Sequence, residues 1–328
     1  MNILITGVHG FVGSNLVAAL SKAHTIYGLD IVAPEKQGVA KTYSWEDLDA
    51  GKVPAVDAII HLAGKAHDTK NQAAAEVYFK VNRDLTIKVF DYFIAHAEIR
   101  KFVFFSTAKA AADKVDGILT EDVVPAPVGP YGESKIAAEK YVLEGFKSLR
   151  VQESKGGEEP TPNSELPAKQ VYIFRPCMIH GPGNKGNLNL LYSVVRKGIP
   201  WPLGAFDNRR TFTSVENICF AVNGVLTKEV PSGIYNMGDD EALSTNELIE
   251  EICRSLGKKA RIWRLPKGLM NGVAKVGGWL HLPLDSERLR KLTESYVSSN
   301  AKIKAALGVE RMPVDAREGL RRTLESFR

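Results

Sequence analysis

The stretch Ile5-Thr-Gly-Val-His-Gly-Phe-Val-Gly-Ser14 decides the fold, and it stands almost at the start of the chain. Its three glycines, Gly7, Gly10 and Gly13, are spaced G-x-x-G-x-x-G. A phosphate-binding turn and a flexible leader both use glycine, and the flanks separate the two. Residues 2–6 form a short apolar run suited to a buried strand, and residues 11–20 carry apolar side chains at helical spacing. Strand, tight turn and helix make the first βα unit of a dinucleotide-binding fold, whose helix N-terminus presents amides to a pyrophosphate. On the glycines alone an ordinary turn stays open, because the spacing is not G-x-G-x-x-G. The next run, His24-Thr-Ile-Tyr-Gly-Leu-Asp30, ends in an acid 23 positions after Gly7, about where a carboxylate meets an adenosine ribose. A helix cap or turn residue is the other use for Asp30.

The pattern continues outward. After an irregular stretch, Val56-Asp-Ala-Ile-Ile-His-Leu-Ala63 reads as another buried strand, followed by a helix near 71–97, a strand over 101–106, a helix from Tyr131 and a strand over Val171–Arg175. Alternating strands and helices predict an α/β fold with a doubly wound parallel sheet, its binding crevice at the carboxyl ends of the strands. Residues 152–169 are polar without apolar periodicity and read as a surface loop. Helices over 187–197, 244–256 and 314–326 predict a smaller mixed α/β cap toward the C-terminus.

Composition narrows the class. A chain of 328 residues holds one large domain or two moderate ones. The net charge of +5 is modest and no Lys/Arg run marks a nucleic-acid partner. Cys177, Cys219 and Cys253 are odd in number and widely spaced, so neither a disulfide framework nor a metal site is expected. With a strand starting at residue 2 and no long apolar run, the expectation is a cytoplasmic protein without signal peptide or integral membrane segment.

Tyr131-Gly-Glu-Ser-Lys135 is the second informative stretch. Positions i and i+4 share a helix face, so Lys135 lies beside Tyr131. A nearby cation favours the phenolate, lowering a tyrosine pKa that is ordinarily about 10. A surface Tyr–Lys pair is the alternative. The strand Phe102-Val-Phe-Phe-Ser-Thr107 ends in two hydroxyls 24 residues before the tyrosine, and either could bond a substrate oxygen.

Here the chain resembles the extended short-chain dehydrogenase/reductase family, and within it the nucleotide-sugar epimerases, dehydratases and 4-keto reductases. The likeness runs through Gly7/Gly10/Gly13, Asp30, His61-Leu-Ala-Gly64, Val81-Asn82, Phe105-Ser-Thr107, Tyr131/Lys135, Arg175-Pro176 and Gly181-Pro-Gly183. It implies a Rossmann sheet and NAD as cofactor. Tyr131 is implied as the acid/base, Lys135 as its pKa modulator and ribose ligand, and Thr107 as the hydroxyl orienting the sugar. Cofactor contacts are implied at Gly7, Gly10, Phe11, Val12, Gly13, Asp30, Leu62, Ala63, Gly64, Asn82, Ser106, Tyr131, Lys135 and Pro176, with Cys177 beside the nicotinamide. Asn187 and Arg210 are implied to hold the sugar diphosphate, a task suited to a guanidinium.

The implied organisation is an NAD-binding part over 1–176 and part of about 209–240, interleaved with a substrate-binding part over 177–208 and 241–328. The implied activity is C4 epimerisation of a UDP-hexose or UDP-N-acetylhexosamine through a 4-keto intermediate, for surface polysaccharide synthesis, in a homodimer. An NAD(P)H-dependent 4-keto-6-deoxy sugar reductase and a non-catalytic nucleotide-binding protein are the alternatives.

The chain departs from the family pattern twice. Ala108-Lys-Ala-Ala-Ala-Asp113 stands where many relatives have a Val-Tyr-Gly triplet, and it resembles the subgroup acting on N-acetylated or deoxy sugars. If the strand continues, Lys109 points into the crevice beside Thr107, toward sugar or phosphate, with solvent exposure at the strand end as the alternative. No acidic residue for the adenine is evident in Tyr43-Ser-Trp-Glu-Asp-Leu48, and the adenine contacts stay unassigned. The apolar stretch 268–284, flanked by Arg261, Arg264 and Lys267, reads as cap packing, with a peripheral membrane contact as its second use.

Overall fold

Along each central strand the apolar side chains alternate between two cores, which is why the sheet is covered on both faces. Ile3, Ile5, Ala58, Ile60, Val103, Phe105, Tyr172 and Phe174 enter one core. Leu4, Ile59, Phe102, Phe104, Val171 and Ile173 enter the other. The structure is a computed structural model that describes residues 1–65, 74–155, 168–184, 186–279 and 286–328. Its strands are β1 Asn2–Thr6, β2 Thr25–Leu29, β3 Lys41–Tyr43, β4 Ala58–His61, β5 Lys101–Phe105, β6 Ile118–Leu119, β7 Gln170–Pro176, β8 Met178–His180, β9 Phe212–Ser214, β10 Gly233–Met237 and β11 Val297–Ser298. Seven of them form one parallel sheet in the order β10-β7-β5-β4-β1-β2-β3. The expected doubly wound α/β architecture is the one found.

From β1 the chain winds outward through β2 and β3, then returns to the other side of β1 to lay down β4, β5, β7 and β10. The direction reverses between β1 and β4, and a crevice opens at the strand ends there. Register brings Thr6 opposite both Leu29 and His61, His61 opposite Phe104, and Phe105 opposite Phe174. The segments that follow these residues therefore emerge along one edge.

Four local readings are corrected. The stretch after Asp30 is not wholly irregular: it contains β3 and the helix Trp45–Asp49, which Ser44 and Asp47 close with a reciprocal capping box. Val171–Arg175, the last strand read from the sequence, is not the sheet's edge, because β10 adds an outer strand beside β7. The helix near 71–97 begins at Ala75 among the described residues, passes through a π-helical turn at Phe79–Asp84 and ends at Ala95. The polar segment expected as a loop from residue 152 is helical as far as Lys155, the end of the long helix Pro130–Lys155, and residues 156–167 lie outside the described residues.

A third core lies beyond the sheet. It collects Leu188, Tyr192 and Val195 from the helix Asn187–Arg196, Leu248, Ile249 and Ile252 from the helix Thr245–Ser255, Met270 and Ala274 from the helix Lys267–Trp279, and Leu320 and Leu324 from the helix Ala316–Glu325. Buried Asp239, just after β10, joins this region to the sheet. Its carboxylate accepts from the Ser214 amide and hydroxyl and from Asn217 Nδ2.

Candidate active site

The glycine turn is built by three different constraints. Gly7 has φ +69°, a left-handed conformation, and a Cβ there would lie 3.0 Å from the Ala63 amide nitrogen. A Cβ on Gly13 would lie 2.5 Å from the Gly7 carbonyl oxygen, so only glycine lets the helix Phe11–Leu20 close on the turn. Gly10 is the N-cap of that helix and supplies no side-chain cap. The first helical amides, at Phe11 and Val12, have no acceptor within the helix, and such amides suit an anion.

Asp30 stands just past β2. Its carboxylate accepts from the His9 amide at 3.1 Å and from the Ile31 amide at 2.7 Å, tying the turn to the strand end. Lys36, which sequence reading passed over, donates from Nζ to Ser14 Oγ at 2.5 Å. Burial lowers the Lys36 ammonium pKa, and the charge of Asp30 opposes this.

On the far side of the reversal, Thr6 Oγ1 accepts from the amides of Leu62 and Ala63 at 3.2 and 3.0 Å. With those two bonds accepted, its own proton points to His61 Nδ1, 2.7 Å away. His61 Nε2 then donates to Thr86 Oγ1 at 3.0 Å, and Thr86 donates to the Asn82 carbonyl at 2.7 Å. Burial, helped by the charge of Lys135, holds the imidazole pKa down to about 3, so it stays neutral. This chain was not read from the sequence; the short apolar motif around His61 was its only trace.

Asn82 sits in the π-helical turn, a local widening that recurs at functional sites. Its side chain accepts from the Lys65 amide and donates to the Lys65 carbonyl and to Ser134 Oγ, at 2.8, 3.1 and 3.1 Å. A Cβ on Gly64 would fall 2.9 Å from Asn82 Oδ1 and 3.1 Å from Lys135 Nζ. The loop after β4, Asn82 and Lys135 thus meet so closely that a side chain on residue 64 would collide with both.

The expected catalytic residues come together. Thr107 caps the short helix Ala108–Ala111, and its side chain is hydrogen-bonded to that of Tyr131 in the first turn of the helix Pro130–Lys155. Lys135, one turn on, donates from Nζ to the Phe105 carbonyl at 2.9 Å. Burial pulls its ammonium pKa down to about 8, against the opposing charge of Glu139. The expected lowering of the phenol is corrected: burial pushes Tyr131 up, and the Thr107 hydrogen bond only partly offsets it.

Glu139, a further turn along the same face, was not singled out. Its carboxylate holds the Arg175 guanidinium through Nε and Nη2, the latter at 2.6 Å, and both side chains are almost wholly buried. The Ser106 hydroxyl also donates to Glu139. The Ser106 side chain is therefore committed to this network.

The substrate-side expectations fare unevenly. β5 stops at Phe105, so Lys109 does not continue a strand into the crevice; it is helical and exposed, pairs with Asp113 at 2.9 Å and lies 4.9 Å from the Tyr296 ring centre. Arg210 is drawn in by backbone bridges to Leu243 and Tyr296, and its Nε donates to the Glu294 carbonyl at 3.1 Å. Asn187 is exposed at the start of its helix. Pro176 ends β7, and burial pushes the adjacent Cys177 thiol up to about 12, so it is no nucleophile at neutral pH.

A sequence model of the NAD dependent epimerase/dehydratase family matches residues 3–238, which span every strand of the sheet. The chain belongs to that family. Within the family, this epimerase/dehydratase is 28% identical over 281 residues to UDP-glucose 4-epimerase of Vibrio cholerae, covering 81% of this chain and 78% of that one. It is 26% identical to N-acetyl-alpha-D-glucosaminyl-diphospho-ditrans,octacis-undecaprenol 4-epimerase of Escherichia coli O157:H7, covering 99% of this chain and 94% of the relative. Its fold matches that of UDP-glucuronic acid 4-epimerase from Bacillus cereus in complex with NAD with a TM-score of 0.72, at 19% identity over 99% of this chain and 98% of the other. Among the described residues of this epimerase/dehydratase, no helix is long and apolar enough to cross a membrane, and no cluster of His, Cys, Asp and Glu could hold a metal ion.

Proposed function

We propose that the protein is a 4-epimerase of a sugar carried on a diphosphate, with UDP-hexose or UDP-N-acetylhexosamine as its soluble substrate. The observation that carries the reading is the convergence of Thr107, Tyr131 and Lys135 beyond the end of β5, packed against Gly64 and Asn82. Residues 1–176 with about 209–240 hold NAD, and residues 177–208 with 241–328 close over the sugar nucleotide. In this reading the amides of Phe11 and Val12 meet the cofactor diphosphate, Asp30 the adenosine ribose, and Lys135 the other ribose. Leu62, Ala63, Ser106 and Pro176 line the nicotinamide position.

NAD held by these residues would supply the hydride acceptor for C4 and the source of the hydride that returns to it. The protein's own work is at O4: Thr107 orients the hydroxyl, and Tyr131 takes its proton and later gives it back. Its raised pKa keeps Tyr131 protonated at rest, and the positive charge of a bound oxidised nicotinamide would favour the phenolate. In this reading Arg210 and Asn187 meet the sugar diphosphate. The relatives named as 4-epimerases support the C4 chemistry.

A protonated Tyr131 also suits a 4-keto reductase, which must donate to a carbonyl oxygen. GDP-6-deoxy-D-mannose reductase of Pseudomonas aeruginosa is 25% identical over 76% of this chain. Purified protein given UDP-GlcNAc or UDP-glucose without added NADH should yield the C4 epimer by NMR. Consumption of one NADH per 4-keto-6-deoxy sugar, with the 4-hydroxy sugars untouched, would replace the epimerase reading by the reductase.

A further inference from the structure

The apolar stretch that the sequence left to cap packing turns only part of its surface inward. On the helix Lys267–Trp279, Met270 and Ala274 enter the third core, while Leu269, Val273 and Val276 form an i, i+4, i+7 stripe on the outside, 45–55% exposed. The helix Asn187–Arg196 does the same, burying Leu188, Tyr192 and Val195 and exposing Leu190 and Val194. Backbone bonds join the two regions: Trp201 N donates to the Arg261 carbonyl and Trp263 N to the Trp201 carbonyl, both at 2.8 Å. Lys258 Nζ donates to the Arg196 carbonyl at 2.7 Å. Trp263, 55% exposed, stands on this joined surface.

Charge is the second, independent observation. Residues 186–204 and 257–276 contain eight Lys and Arg and no Asp or Glu. The chain as a whole carries +5, so everything outside these two stretches is net −3. An apolar, aromatic and basic face of this composition matches the interfacial region of an anionic membrane, where apolar side chains enter the headgroup boundary and cations meet lipid phosphates. A second copy of the chain suits it less, since a two-fold contact would set eight cations against eight.

We propose that the face formed by residues 187–199 and 258–276 docks on the headgroup region of an anionic membrane. Docking would bring the sugar site to the bilayer surface. The face begins at Asn187, five residues after Pro182, whose carbonyl accepts from Asn15 on the glycine-turn helix at 3.0 Å. The inference goes beyond the C4 reading and stands or falls apart from it.

Co-sedimentation of the full chain with vesicles of phosphatidylcholine, or of phosphatidylcholine with phosphatidylglycerol, tests it. Binding should be at least ~10-fold stronger to the anionic vesicles and should weaken with added salt. Two variants separate the contributions: Arg261→Gln/Arg264→Gln/Lys267→Gln, and Trp263→Ser/Leu269→Ser/Val273→Ser. Each should lose most vesicle binding while keeping turnover of a soluble UDP-sugar. Absence of anionic preference, or wild-type binding by the charge variant, would overturn the proposal. So would a dimer by light scattering that the serine variant splits, with no vesicle binding by the parent chain.

Discussion

Lys135 points its ammonium at the carbonyl of Phe105, 2.9 Å away, rather than at the phenol one turn before it. The amine is buried, bonded to a neutral acceptor and lowered to about 8, so it loses its charge just above neutral pH. If the ammonium serves the reaction, kcat/KM should fall as the pH rises through about 8. A profile flat to pH 10 would remove Lys135 from the mechanism. Lys135→Met should lower turnover and also weaken NAD binding, read by calorimetry.

Tyr131→Phe keeps the ring and its edge contact with Tyr78 while removing the hydroxyl shared with Thr107. Turnover should drop by at least ~10²-fold, with NAD affinity within a few-fold of the parent. Near-normal turnover would show that another group moves the O4 proton.

The pair of Asp30 and Lys36 bears on cofactor choice. A carboxylate repels a 2′-phosphate, and a lysine across from it relieves that repulsion. NAD should bind more tightly than NADP, and Lys36→Ala should widen the gap by raising the NADP dissociation constant. An unchanged ratio in the variant would place Lys36 outside the cofactor site.

Breaking the buried Glu139–Arg175 pair should be costly. Glu139→Gln leaves a buried guanidinium without its counter-ion and should cost about 3–5 kcal/mol of stability. Glu139→Leu combined with Arg175→Met, which removes both charges, should cost less than the single change. Urea unfolding of the three proteins makes the comparison.

His61 predicts an acid-side loss. The unfolded imidazole takes a proton near 6.5 and the folded one only near 3. Between those values the unfolded chain binds more protons, so stability falls as the pH drops from about 6.5 toward 3. From pH 7 to 5 this single group should account for roughly 2 kcal/mol. His61→Gln should lose that much less over the interval, measured by chemical denaturation at both pH values.

Much of this was local and therefore legible in one dimension. Glycines at 7, 10 and 13 stand where backbone must approach backbone, and their flanks carry the alternation of a strand and the period of a helix. Tyr131 and Lys135 share a helix face whatever the rest of the chain does, since four residues make about one turn. The parallel sheet followed from alternating elements, because parallel strands need crossovers.

What the sequence could not determine were relations that depend on where a chain segment stops or what it is packed against. Lys109 left the crevice because β5 ended at Phe105 and Thr107 capped a helix. Tyr131 titrates upward because burial outweighs its hydrogen bond from Thr107, and burial is a property of the folded surroundings. Glu139 and Arg175, 36 residues apart, meet only when β7 lies beside β5 under the long helix. Thr6, His61 and Thr86 likewise come from three elements, and their hydrogen-bonded chain exists only once β1, β4 and the helix Leu85–Ala95 are assembled. Local sterics can be read from neighbours in sequence; desolvation and long-range pairing are set by neighbours in space.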